Sequence, residues 1–292
     1  MRYLVTGGAG FIGSNIVDKL IELGNKVTVI DNESSDAHEQ FYWNENAKNY
    51  KYDICDYEAI RHLFTGIDVV FHLAAESRIQ PAIHNPIYAT TVNTVGTCNV
   101  LQAAREANVQ RVVFSSTSAA YGLSNTPPLR EDMPRDCLNP YSISKCAGED
   151  LCKMYTDLYG LETVAFRYFN VYGNRQPLKG QYAPVIGLFL RQKAEGIPMT
   201  IIGTGEQRRD FTHVNDVVEA NLLAADLKNK RVVGQLFNIG TGTNHSILDL
   251  VKMIGGEKAF LPPRPAEAMI SLADNSKAKH LLKWNPQVCL KN

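Results

Sequence analysis

No run of the ~18 apolar residues needed to cross a bilayer occurs anywhere in the chain. Its first residues enter a strand pattern directly, without a charged and then apolar leader. The sequence therefore predicts a soluble, cytoplasmic protein. A surplus of charge is missing too: thirty basic side chains face thirty acidic ones. No global field recruits nucleic acid or an anionic membrane, so an anionic ligand must be held by local arginines or backbone amides. Cysteine is present but unpatterned. Cys55, Cys98, Cys137, Cys146, Cys152 and Cys289 form no C-x-x-C pair and no histidine-interleaved spacing, which fits reduced thiols and predicts no metal. Internal repeats and low-complexity segments are also lacking. What is there, 292 residues of which 45% are hydrophobic, can bury a large core and build two subdomains.

Short apolar runs at 3–6, 27–30, 69–73, 112–115 and 163–166 read as buried strands bounded by turn residues. Segments of helical period lie between them. Ile12, Ile16, Leu20 and Leu23 mark the first, ended by Gly24, and Asn85-Pro86 opens another carrying Val92, Gly96, Val100 and Ala104. Strand and helix alternate as far as residue 173, which predicts an α/β fold: a doubly wound parallel sheet of Rossmann type with ligands at the carboxyl ends of its strands. Beyond Gly173 the alternation loosens into loops containing Gly180, Pro184, Pro198, Gly203 and Pro262 to Pro265, suited to a smaller α/β subdomain that closes on a ligand. Leu236 to Ile239 reads as a late strand returning to the main sheet. The expected division is 1–173 with 211–243 for the first unit, and 174–210 with 244–292 for the second.

The turn Thr6-Gly7-Gly8-Ala9-Gly10-Phe11-Ile12-Gly13 falls between the first strand and the first helix. Glycines there allow positive φ and close backbone approach, so a helix N-terminus can meet a pyrophosphate through bare N–H groups. Asp31 ends the second strand, where a carboxylate accepts hydrogen bonds from ribose hydroxyls and repels a 2'-phosphate; this favours NAD over NADP. Asp53, after a third strand, is placed either to receive the adenine amino group or as a solvated loop acid. The small Ala74 and Ala75 let a dinucleotide lie on backbone, and His72 reads as a satisfied core histidine.

Tyr141 and Lys145 lie four apart just inside a helix started by Asn139 as N-cap and Pro140 at the first helical position. They share a helix face, so the ammonium can lie near the phenol or near a ligand that both contact. Lowering a phenol from pKa ~10 to about 6 or 7 takes roughly 4 to 5 kcal/mol, part from one desolvated cation and part from a second, such as an oxidised nicotinamide. Alone, this spacing also describes any solvated helix face.

Gly7-x-x-Gly10-x-x-Gly13, His72-Leu73-Ala74-Ala75, Ser115-Ser116-Thr117 ahead of Tyr121-Gly122, and Tyr141-x-x-x-Lys145 follow one another in that order. Together they resemble the extended short-chain dehydrogenase/reductase family, in its nucleotide-sugar epimerase and dehydratase branch. Arg167 to Gly173, Arg209 to Asp216, and Arg264 ahead of Ser271-Leu272-Ala273-Asp274 look like that branch's substrate-side motifs, so the resemblance spans nearly the whole chain. It implies that Tyr141 is the acid/base, that Lys145 binds the nicotinamide ribose and lowers the tyrosine pKa, and that Thr117 bridges tyrosine and sugar. Phe11, Ile12, Asn32, Ile54, Leu73, Asn93, Ser115 and Tyr168 are implied to complete the cofactor wall. Asn170, Arg209 and Arg264 are implied to hold the diphosphate, with Ser77, Tyr182 and Val185 lining the nucleotide and sugar pocket. His213 reads as structural. The resemblance further implies a homodimer through the helices starting near Asn85 and Pro140; family members usually continue past Trp284-Asn285-Pro286 into a terminal helix, whereas the sequence here ends at Asn292.

In the family's 4,6-dehydratases the threonine is followed by Asp-Glu, and the decarboxylase branch places a Glu where Ala119 stands; here Thr117 is followed by Ser118-Ala119. Without those acids, elimination of water lacks its general acid and base. What remains needs Tyr, Thr, Lys and NAD: reversible oxidation at C4 of a UDP-hexose, UDP-glucose/UDP-galactose by default. The resemblance implies that the position before Leu272-Ala273-Asp274 gates C2 substituents, so small Ser271 would leave room for an N-acetyl group, which makes UDP-GlcNAc/UDP-GalNAc a further candidate. A net oxidoreductase and a non-catalytic NAD-binding protein on the same fold are the alternatives.

Overall fold

In the computed structural model, residues 1–178, 184–263 and 268–290 are described. Its strands are β1 (Arg2–Thr6), β2 (Lys26–Ile30), β3 (Lys48–Tyr50), β4 (Val69–His72), β5 (Arg111–Thr117), β6 (Glu162–Tyr168), β7 (Val171–Tyr172), β8 (Met199–Ile202), β9 (Arg208–Arg209), β10 (Thr212–His213), β11 (Gln235–Ile239), β12 (His245–Ser246) and β13 (Lys258–Leu261). Among the described residues seven of these form one parallel sheet in the order β11-β6-β5-β4-β1-β2-β3. All seven residues of β5 are buried, as a central strand covered on both faces requires. The strand order reverses between β1 and β4, and a crevice opens at their carboxyl ends, beside Gly7 and Leu73.

The principal helices are α1 (Phe11–Glu22), α2 (Tyr57–Ile60), α3 (Ile79–His84), α4 (Pro86–Thr90), α5 (Thr97–Glu106), α6 (Pro140–Tyr159), α7 (Val185–Ala194), α8 (Val214–Ala224) and α9 (Ile247–Ile254). Ile16, Val17 and Leu20 of α1 join Val217 and Val218 of α8 over one face of the sheet. Val100 and Leu101 of α5 join Cys152 and Tyr155 of α6 over the other. Trp284 closes the first layer, its indole N–H donating to the Asp216 carbonyl at 2.8 Å. A separate apolar cluster joins Ile186 and Phe189 of α7, Met199 and Ile201 of β8, and Leu250 and Val251 of α9.

The third strand expected ahead of Asp53 is present as β3, short, polar and at the sheet edge. One element differs from the sequence expectation. The helix opened by Asn85, whose side chain caps Tyr88 N, is not one α-helix: a π-helical turn at Thr91–Gly96 separates α4 from α5. That turn brings Asn93 inward, where its amide bonds both backbone groups of Glu76 and the Ser144 hydroxyl. The late strand β11 does return to the main sheet, in parallel register with β6.

Candidate active site

Glycine is required twice in the turn after β1. A Cβ on Gly7, whose φ is +68°, would stand 2.7 Å from the Ala74 nitrogen, and one on Gly13 would stand 2.1 Å from the Gly7 carbonyl oxygen. The turn can therefore pack its backbone against β4 and against α1 at once. Gly10 caps α1 without a side-chain hydrogen bond, and no acidic residue occupies the first turn, so the amides there are open to an anion. Asp31 is buried, and its carboxylate accepts from Ala9 N at 3.1 Å and from Glu33 N at 2.8 Å. Burial pushes its pKa up, against the pull of those amides. These residues fit the phosphates and adenosine ribose of NAD.

His72 lies beneath this turn. Thr97 donates to the Asn93 carbonyl at 2.7 Å, so its oxygen receives the His72 Nε2–H at 2.9 Å. His72 Nδ1 then accepts from Thr6 Oγ1 at 2.7 Å, and Thr6 in turn accepts from Ala74 N. The imidazole is neutral and satisfied; burial, followed by the Lys145 charge, pushes its pKa down to about 3.

Tyr141 follows Pro140 at the start of α6. Asn139 accepts from Ser142 N at 2.9 Å in a capping box, which sets the helix start and with it the tyrosine. Thr117, at the end of β5, lines the same cleft as the phenol, and its Oγ1 accepts from Ala119 N at 3.1 Å. Burial raises the Tyr141 pKa; the Thr117 hydroxyl opposes this, and the nearby Glu76 carboxylate adds to it. Among the described residues no hydrogen bond joins Lys145 to the phenol. Its ammonium sits 4.4 Å from the Phe114 ring centroid, with no hydrogen-bond acceptor among the described residues. Burial pushes its pKa down to about 8, with Cys152 and Glu149 opposing. Of the two arrangements open to this pair, the structure has the one in which both groups face a shared cleft.

α6 reaches that position because Gly148 lies against Phe114, where a Cβ would stand 2.4 Å from the ring. Beneath it Glu149 receives Nε and Nη2 of the buried Arg167 at 2.9 and 2.8 Å and also the Ser116 hydroxyl, tying α6 to β5 and β6. At the far end of the cleft, the Asp210 carboxylate accepts from Thr241 N, Thr241 Oγ1, Gly242 N and Ala273 N. It draws the strand carrying Arg209 and the segment carrying Ser271 together; Ser271 N donates to Arg208 O at 2.9 Å. Asn170, at φ +29°, donates to the Asp210 carbonyl at 3.0 Å.

One cleft of about 1160 Å³ joins these parts. Of the residues expected around the cofactor, all but Asp53 and Asn93 line it. Asp53 instead accepts from the Asn32 amide and from Cys55 N, and Asn93 holds Glu76 and Ser144. On the other side Ser77, Thr117, Tyr141, Asn170, Val185, Arg209 and Ser271 line it, while Tyr182 and Arg264 lie outside the described residues. His213 caps α8 by accepting from Asn215 N. Sequence reasoning passed over His38, Phe41 and Arg78, which also line the cleft, with Arg78 paired to Asp36. Neither period nor motif marks them. Glu149 carried a faint signal: a second charge on the helix face of Lys145.

A family model described as the NAD dependent epimerase/dehydratase family matches residues 3–240. The UDP-glucose 4-epimerase of Mycolicibacterium smegmatis is 38% identical over 306 residues, covering 99% of this chain and 95% of that protein. The crystal structure of UDP-glucose 4-epimerase from Thermotoga maritima with UDP-glucose superposes at a TM-score of 0.94, with 37% identity, covering 100% of this chain and 95% of that one. UDP-N-acetylglucosamine 4-epimerase from Methanobrevibacter ruminantium, in complex with UDP-N-acetylmuramic acid, superposes at 0.91 with 35% identity, covering 98% of this chain and 93% of that one.

Proposed function

The chain belongs to the NAD-dependent epimerase/dehydratase family, and from that premise we propose that it is an isomerase, a UDP-hexose 4-epimerase acting through a transient 4-keto sugar. One observation carries the reading. Thr117 and Tyr141 face together the cleft that the glycine turn also lines, and among the described residues no charged side chain between Thr117 and Asn139 lines it. A second acid or base for dehydration or decarboxylation is therefore missing from that wall. The same uncharged wall favours a neutral hexose over a uronic acid, with UDP-glucose and UDP-galactose as the pair. Small Ser271 on the cleft supports UDP-GlcNAc and UDP-GalNAc as further substrates.

NAD bound on the glycine turn would take the C4 hydride and return it. Tyr141 accepts the C4 hydroxyl proton as phenolate and gives it back to the other epimer, while Thr117 orients both oxygens. With its pKa raised by burial, the phenol must gain positive charge on its cleft side before it acts as a base. Lys145, whose ammonium has no hydrogen-bond acceptor among the described residues, is assigned to the hydroxyls of the nicotinamide ribose. Asn170, Arg209 and Arg264 are assigned to the UDP diphosphate, and Tyr182 and Val185 to the nucleotide pocket. Asp31 and Asn32 are assigned to the adenosine ribose, with Asp53 and Asn93 supporting the wall from behind.

Residues 1–173 with 211–243 form the NAD-binding unit in this reading, and 174–210 with 244–292 the sugar-nucleotide unit. The protein is further read as a cytoplasmic homodimer. Among the described residues no helix is long and apolar enough to cross a membrane. Ile87 on α4, Val95 on the π-helical turn, and Ile143 and Leu158 on α6 are exposed apolar side chains suited to pairing two copies. The deciding experiment is proton NMR of the purified protein with UDP-glucose or UDP-GlcNAc and no added cofactor. Anomeric signals of the C4 epimer should grow in; if neither sugar changes, the epimerase reading fails.

A further inference from the structure

Cys137 and Cys146 stand with their sulfurs 3.4 Å apart, one in the segment leading into α6 and the other on its second turn, directly after Lys145. Among the described residues no other two cysteines are in contact; Cys98, for example, rests on the Tyr155 hydroxyl at 3.8 Å. The contact is held from both sides. Arg135 forks onto Asp150 of α6 at 2.7 and 2.8 Å and reaches Glu149 at 3.1 Å. Asp136 N donates to the Ala120 carbonyl, and its carboxylate accepts from Leu123 N and Ser124 N. Residues 135 and 136 are thus fastened to the helix and to the loop after β5, and Cys137 is delivered onto Cys146 with little freedom to turn away.

We propose that Cys137 and Cys146 are an oxidative modification site, a thiol pair that a peroxide converts to a disulfide and that thereby reversibly brakes the active site. The partly exposed Cys137 meets the oxidant, and the buried Cys146 resolves it. The Cys137 thiolate attacks one peroxide oxygen; the O–O bond breaks, leaving a sulfenic acid and hydroxide. The Cys146 sulfur then attacks the Cys137 sulfur; the S–O bond breaks and the leaving hydroxide departs as water with the Cys146 proton. In sum two thiols and one hydrogen peroxide give one disulfide and two waters. Burial and the Glu149 charge push the Cys146 thiol up, so it enters this step protonated.

Bond formation must bring the sulfurs together by about 1.4 Å, to a separation of about 2 Å. The chain between them holds Leu138 and Asn139, which line the cleft, then Tyr141 and Lys145. Any part of that shift that the helix start passes on to the acid/base groups is costly, because about 1 Å of misplacement there lowers the rate on the order of 100-fold. The expected effect on turnover rests on the epimerase reading; the cross-link itself does not.

The test treats the purified holoenzyme with hydrogen peroxide, alkylates free thiols and maps peptides without reduction. A Cys137–Cys146 cross-link, lighter by two hydrogens, should be the first product, with turnover falling at least tenfold and returning on addition of dithiothreitol. Cys137→Ser should keep its basal turnover and lose both the cross-link and the peroxide sensitivity. Cys146→Ala should accumulate a sulfenic acid at Cys137 that dimedone traps. The proposal is overturned if only the exposed Cys289 oxidises, if the cross-link forms and turnover is unchanged, or if Cys137→Ser is inactivated as fast as the parent. A cross-link in a protein that never epimerises either sugar would count against the UDP-hexose reading and for the thiol pair.

Discussion

Replacing His72 with asparagine should flatten the loss of stability that the protein suffers on mild acidification. The imidazole is buried between Thr6 and Thr97, and its pKa is pushed down to about 3. In the unfolded chain the ordinary value of about 6.5 returns. Below pH 6.5 the unfolded state therefore binds a proton that the native state refuses until about pH 3. The stabilisation is complete above 6.5 and drains away as the pH falls through that window. Between pH 7 and pH 5 this one group removes about 2 kcal/mol, taking those two pKa values. Asp31 and Glu76, raised by burial, act with the opposite sign but are common to both proteins, so they cancel in the comparison. Urea unfolding at pH 7 and pH 5 gives the difference in free energy between parent and His72→Asn. The variant starts less stable, having lost a doubly bonded imidazole, and that gap should narrow by about 2 kcal/mol at pH 5. Curves that fall in parallel would show that His72 is not held neutral in the native state, and the tautomer chain from Ala74 to Asn93 would have to be redrawn.

Gly13→Ala places a methyl 2.1 Å from the Gly7 carbonyl oxygen, and a backbone atom there cannot swing aside. NAD released from the purified variant should fall below about a tenth of the parent's, a loss of over 1.4 kcal/mol in binding, whereas full occupancy would refute the assigned turn. Tyr141→Phe removes the hydroxyl that faces the cleft beside Thr117 and should lower kcat by roughly 10²- to 10⁴-fold with NAD content unchanged. Ser271→Tyr narrows the cleft at the assigned C2 position. It should cut kcat/KM for UDP-GlcNAc at least about tenfold relative to UDP-glucose; an unaltered ratio places the C2 gate elsewhere.

The central strands were legible because strands buried on both faces leave unbroken apolar runs: Val69 to Phe71 and Val112 to Phe114 could hardly be anything else. β3 was expected only from its place ahead of Asp53, because an edge strand of Lys-Asn-Tyr has no such run. Asn139-Pro140 announced the start of α6, since capping is local chemistry that four residues suffice to write. The interrupted helix after Asn85 was not readable. Its π-helical turn exists to bring Asn93 onto Glu76 and Ser144, partners distant in sequence. The same limit hid His38, Phe41 and Arg78, which reach the cleft only because the loop after β2 and the start of α3 face one another across it.

By itself the sequence determined the class of cofactor and the uncharged Ser118-Ala119 after Thr117, because both depend on residue type at short spacing, and its motifs in order pointed to Tyr141 as the acid/base of the proposed reaction. Tertiary structure decided how those pieces act. It set Lys145 over Phe114, left His72 neutral beneath the glycine turn, and brought Cys137 against Cys146. Those outcomes turn on burial and on distances across the sheet, and spacing along the chain carries no information about either.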